Sequence, residues 1–129
     1  MRCHILTGIS RKILEDVVNR DIKTIELRST HNVATAFSIE IGNCIFLTPC
    51  KQYDLGKGTR GVIAEVNGKE SLSHSMVFSS DRYIEESEMT VARLRITPKG
   101  FGRLHNVYDP GILESTQGDV VDLSYFSAR

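Results

Sequence analysis

Four cations, Arg93, Arg95, Lys99 and Arg103, fall within eleven residues of this 129-residue chain, with no acidic residue among them. Phe101 stands between Gly100 and Gly102, so its ring can be presented without a crowded backbone. Such a strip suits a nucleic acid: cations meet phosphates while the aromatic ring stacks on a base. Arg95, Lys99, Phe101 and Arg103 are therefore the candidate RNA-binding residues, and His105 and Tyr108 add stacking surface. Lys99-Gly100-Phe101-Gly102 matches the first half of the RNA-recognition signature, and Arg103 breaks it where an aromatic is required. The plainer reading of the same residues is a solvated strand edge, where Lys and Arg block aggregation.

Other chemistry is less well supported. Cys3, His4, Cys44 and Cys50 are four possible zinc ligands, but Cys44-x5-Cys50 is not a knuckle spacing. Free buried cysteine is the commoner state, so no metal and no cofactor is expected. Gly56-Lys57-Gly58-Thr59 has a phosphate-loop flavour without the full spacing or a following helix. His31 and His74 read as surface residues at strand ends.

The totals limit the partners. Lys plus Arg and Asp plus Glu are 16 each, so net charge gives no argument for a polyanion and any nucleic-acid case is local. Three cysteines do not make a disulfide framework, which points to a reducing compartment. No run approaches the roughly 18 apolar residues of a membrane span. Met1-Arg2-Cys3-His4-Ile5-Leu6 starts like a signal peptide, but Ser10-Arg11-Lys12 interrupts it. A cytoplasmic protein without a membrane partner is the expectation.

The elements that must position these residues are mostly strands. Ser10 is a good N-cap for a helix whose Ile13, Leu14, Val17 and Val18 share one face. The helix ends near Arg20-Asp21. Ile25 and Leu27 then alternate with charged residues. Val33, Thr35, Phe37, Ile39 and Ile41 alternate with Ala34, Ala36, Ser38 and Glu40, and Gly42-Asn43 reads as a hairpin turn. Cys44-Ile45-Phe46-Leu47 is apolar on both faces and reads as an interior strand. Val62 to Val66 reads as a strand closed by an Asn67-Gly68 turn, and Met76 to Phe78 as another. Asp81 to Glu88 could hold one helical turn. Met89 to Thr97 reads as a strand stopped by Pro98, Lys99 to Gly111 as irregular, and Val120 to Phe126 as a last strand. About seven short strands behind one N-terminal helix suggest a mainly β fold over residues 1–129, a single antiparallel barrel-like domain.

The order of these pieces resembles the N-terminal half of picornavirus-type chymotrypsin-like cysteine proteases. Ala34 to Ile39 resembles the family's first hairpin strand, Cys44 to Pro49 the strand before the catalytic histidine, and Glu88 to Leu94 the strand bearing the third triad residue. Lys99 to Leu104 resembles its RNA-binding segment, and Gly118 to Val121 the entry to the second barrel. The resemblance implies a six-stranded, chymotrypsin-like half barrel with Cys50 and Glu88 at the triad-equivalent positions. It also implies a host-cytoplasmic viral protein. Cys50, or Lys51 if the loop is one residue longer, replaces the histidine, and the second barrel with its Gly-x-Cys-Gly nucleophile is absent, so the implied function is a protease-like domain without activity of its own. The alternatives are a non-enzymatic RNA-binding barrel and an accessory protein-interaction domain. RNA, the missing second barrel, or a second copy docked through an apolar patch are the partners these readings imply.

Overall fold

The computed structural model describes residues 1–19, 23–79, 84–108 and 115–126. The chain runs β1 (Arg2–Leu6), α1 (Arg11–Asn19), β2 (Thr24–Leu27), α2 (Thr30–Ser38), β3 (Cys44–Leu47), β4 (Arg60–Ser79), β5 (Ile84–Tyr108) and β6 (Gln117–Tyr125). A 3-10 turn, Gln52–Asp54, lies between β3 and β4. The fold is mainly β.

The six strands form one sheet in the order β2-β5-β4-β3-β1-β6, and β6 also pairs with β5. The pairings thus run β5, β4, β3, β1, β6 and return to β5. Five of the six pairs are antiparallel; β1 and β3 are parallel, with His4 opposite Ile45 and Leu6 opposite Leu47. Parallel neighbours need a crossover, and α1-β2-α2 is that connection. The sheet is therefore mixed, where the sequence reading had it fully antiparallel.

Burial separates two faces. Cys3, Ile5, Phe46, Ile63, Leu104 and Val120 form one cluster, drawn from all five strands of the ring. Leu6, Ile45, Leu47, Val62, Ala64, Leu94 and Ile96 belong to a second, shared with Val17 of α1 and Val33 and Ala36 of α2. β3 lies between the clusters, which is why its four residues are apolar on both faces. Space in the first cluster is tight. A Cβ on Gly102 would lie 2.6 Å from Ile63 Cδ1 and 2.7 Å from Val120 Cγ1, and one on Gly118 would lie 2.8 Å from Ile5 Cδ1.

Several expectations are corrected. The described residues hold two α-helices, not one. Ser10 does cap α1, its Oγ accepting from Ile13 N at 3.1 Å. Residues 30–38, expected as a strand, form α2. Ser29 Oγ accepts from Asn32 N at 3.2 Å, and Asn32, Val33, Thr35 and Ala36 are buried at helical spacing. Phe37, which strict alternation puts in the core, is 59% exposed. Residues 2–6, compared above with a leader, are strand β1, with Cys3, Ile5 and Leu6 buried. Asn67-Gly68 is not a hairpin turn but a bulge within β4, between the pairs Val66–Ile96 and Gly68–Arg95. Pro98 does not end a strand; β5 passes through it beside a second register shift, where Lys99 is the extra residue. Part of the expected helical turn at Asp81 to Glu88, and the helix end at Arg20-Asp21, lie outside the described residues; residues 84–88 are strand.

Candidate functional site

The segments that follow β1, β2 and β3 together line a cleft of about 1110 Å³. Thr7 to Ser10 leave β1, Arg28 to Asn32 leave β2, and Lys51 to Tyr53 leave β3. Their backbones are stitched together. Thr48 N donates to Leu6 O, Gly8 N to Cys50 O and Ile9 N to Thr48 O, at 2.9–3.1 Å. Gly8, at φ 62, turns the chain from β1 towards α1, a backbone that glycine adopts without strain. Asn32 completes the join. Its Nδ2 donates to Thr7 O at 2.7 Å and its Oδ1 accepts from Thr7 N at 3.1 Å, so the buried amide closes β1 as a neighbouring strand would.

Polar and apolar groups then face one space. The Nε2 of His31 and the Oγ1 of Thr116 are 3.0 Å apart, and Gln52 Nε2 donates to the same hydroxyl at 3.1 Å. Thr116 is fully buried, so the hydroxyl orients the imidazole and the amide rather than meeting solvent. Arg28 and Lys51 bring two cations; Arg28 is held by Glu26 at 3.0 Å. The α1 and α2 N-termini both open on the cleft, and their first N–H groups add partial positive charge. Ile9, Ile13 and Leu27 give an apolar wall, and Tyr53, 98% exposed, stands at the rim. The arrangement suits a small organic anion: fixed dipoles and cations for its charged end, apolar surface for the rest.

The residues nominated from the sequence lie elsewhere. Cys50 is a free, half-buried cysteine that does not line the cleft, with Sγ 3.5 Å from Lys51 O. Glu88 is on β5 opposite Ser75, and its side chain is outside the described residues. β3 ends at Leu47 opposite Val62, so Glu88 lies 13 positions further along β4, roughly 40 Å of extended strand. The long β4–β5 ribbon thus separates Cys50 and Glu88, and the triad-equivalent assignment fails on this geometry. His74 is also on this ribbon. Arg95, Lys99, Phe101 and Arg103 are all exposed along β5. The sheet, however, sets acids among the cations. Glu65 reaches Lys99 at 3.6 Å, and Glu26 and Glu70 each reach Arg93 at 3.8 Å. Phe101 meets Phe126 edge-on at 4.9 Å between centroids. In the Gly56-Lys57-Gly58-Thr59 loop, Gly58 N donates to Leu104 O and Gly56 N to Thr59 Oγ1, so two of its donors are already used.

Cys3 and Cys44, opposite each other on β1 and β3, are joined by a disulfide, against the expectation of unpaired thiols. Among the described residues no helix is long and apolar enough to cross a membrane, and no three His, Cys, Asp or Glu residues are grouped to hold a metal.

Comparison with known proteins overturns the viral protease resemblance. The chain is 26% identical over 103 residues to the uncharacterized protein MJ0105 of Methanocaldococcus jannaschii, covering 80% of this chain and 64% of that protein. It therefore spans less than two thirds of that relative's length. No solved structure matches. Nothing in these relationships is viral or proteolytic, and the protease-like function goes with the resemblance. The family model described as protein of unknown function (DUF473) matches residues 1–118, and the chain belongs to that family.

Proposed function

We propose that this protein is a small-molecule binding domain whose cleft takes an organic anion, a carboxylate or a phosphate ester with an apolar body. The observation that carries the reading is the convergence of three post-strand segments and two helix N-termini on one cleft. Lys51 and Arg28 would meet the charge, His31 would be held for hydrogen bonding by Thr116, and Tyr53 would cover the apolar part. The framework beneath it reads as one domain, a small closed barrel. The ring of pairings and the tight approaches at Gly102 and Gly118 support that description.

The test is a titration with phosphate monoesters and small carboxylates, followed by amide chemical shifts. Saturable shifts are expected at Gly8, Ser10, Thr30 and His31. Replacing Lys51 or Arg28 with Ala removes a charge-assisted hydrogen bond and is expected to weaken binding roughly tenfold. Shifts confined to other surfaces, or unchanged affinity in both variants, would end the reading.

A further inference from the structure

The Gly56-Lys57-Gly58-Thr59 loop and the basic end of β5 meet at a hollow of about 140 Å³, lined by Lys57, Gly58, Arg103, Leu104, His105 and Val121. The backbone dictates this meeting. Thr59 N donates to Gly56 O at 3.1 Å and Gly58 takes φ 92, so the four residues form a turn with glycine where positive φ is required. Lys57 stands at the corner of that turn. Gly58 N donates to Leu104 O and Leu104 N to Thr59 O, both at 2.8 Å, which pins the turn to β5 beside Arg103 and His105. Towards β6, Leu104 pairs with Val120 and Asn106 with Asp119, so His105 is the extra residue of a bulge. Bulges re-aim side chains and are frequent beside functional sites.

Charge at the hollow is uncompensated. Lys57, Arg103 and His105 are exposed, and Arg60 stands directly opposite Arg103 in the β4–β5 ladder. Like charges set opposite each other in a sheet repel. Elsewhere on β5 the sheet answers a cation with an acid: Glu26 and Glu70 at Arg93, Glu65 at Lys99. Here, among the described residues, none of Lys57, Arg60 and Arg103 has an ion-pair partner. Size narrows the occupant. Pockets for whole organic ligands begin at roughly 300 Å³, so this hollow suits a single tetrahedral oxyanion instead. Three donor side chains match the acceptor oxygens of a phosphoryl group.

We propose that Lys57, Arg103 and His105 form a second anion site, sharing no residue with the cleft, that binds the phosphoryl group of inorganic phosphate or of a phosphate monoester. The bound anion relieves the repulsion between Arg103 and Arg60. An organic body, where the ligand has one, lies outside the hollow, so the site selects the phosphoryl group rather than its carrier.

Amide chemical shifts of the full chain, with phosphate exchanged for chloride at fixed ionic strength, test this. Saturable shifts are expected at Gly58, Thr59, Leu104 and His105, with a dissociation constant on the order of 1 mM. Methyl phosphate binding within roughly threefold of inorganic phosphate would show that the group alone is selected, and binding more than about tenfold weaker would name inorganic phosphate as the ligand. K57A and R103A each lose a charge-assisted hydrogen bond and are expected to bind roughly tenfold more weakly. K12A removes an exposed cation from α1 and is expected to bind as wild type does. Unchanged amide shifts in β1 and β3 report that each variant is folded. The cleft is read at Gly8, Ser10, Thr30 and His31, where K57A and R103A change nothing, so either site can fail without the other. Shifts that stay linear in phosphate, equal weakening in K12A, full affinity in both K57A and R103A, or a response to single-stranded RNA alone would overturn the proposal.

Discussion

At the scale of single residues, the side chains that build the cleft are mostly ones that settle backbone problems first. Asn32 occupies the two backbone groups of Thr7, and Ser29 caps the helix that carries Asn32 and His31. Serine three positions before asparagine was readable as a helix start, and that signal would have placed His31 in the first turn of a helix rather than at a strand end. Thr116, by contrast, lies 85 positions from His31, and no local pattern announces that pair. His4 offers a residue-scale prediction. Burial on β1 lowers its pKa from the usual 6.5, and a hydrogen bond with Asn43 opposes this in part. A base with a lowered folded pKa binds its proton more readily when unfolded, so folding weakens as pH falls through 6.5 towards the folded value. Urea midpoints are expected to rise between pH 5 and pH 7 in the wild type, with a shallower rise in His4→Gln. Equal slopes in the two proteins would show that His4 does not contribute.

At the scale of elements, the sequence exposes strands and turns but not their lengths or partners. α1 and the interior strand β3 were legible because capping and double-sided hydrophobicity are local properties. α2 was not, because Val33, Thr35 and Ile39 favour strands in isolation, and packing against the sheet overrides that preference. The length of β5 was hidden by Pro98, since a proline stops a strand except at an irregularity such as the register shift beside it. The same blindness affects the basic strip: its neighbours in sequence carry no acid, whereas its neighbours in the sheet are Glu65, Glu26 and Glu70. An RNA-facing role for Arg95, Lys99, Phe101 and Arg103 stands as a proposal for this surface. Three released phosphate contacts would flatten the salt dependence by about 2 in log–log slope. With acids interleaved, we expect the Arg95→Ala, Lys99→Ala, Arg103→Ala triple variant to bind single-stranded RNA within about twofold of wild type, with that slope unchanged. A flattened slope in filter-binding across a salt series would favour the RNA reading.

At the scale of the whole molecule, what matters is how the crossover is tied to the ring. α1, β2 and α2 bring two of the three cleft-forming segments, and all lie in the chain between Cys3 and Cys44. The disulfide therefore closes a loop, with ends 41 positions apart, around two of the three segments that shape the cleft. Opening it leaves β1 and β3 joined through a parallel ladder of three paired positions, while the unfolded chain regains the freedom of the loop. Chain entropy for a loop of that size puts the stabilisation at about 4 kcal/mol at 25 °C, within the usual 2–5 kcal/mol for a native bridge. For a chain of this length the loss corresponds to a melting temperature lower by roughly 15 °C. Cys3 is almost fully buried, so reduction under native conditions is expected to require local opening and to be slow. Thermal unfolding with and without reductant, beside the double variant C3S/C44S, separates the effects. The wild type should lose stability on reduction and fall to the level of the variant, which should not respond. Thiol titration should find one reactive group, Cys50, before reduction and three after reduction and unfolding. A wild type that melts unchanged in reductant despite three titratable thiols would mean that the ring holds β1 against β3 by pairing and packing alone.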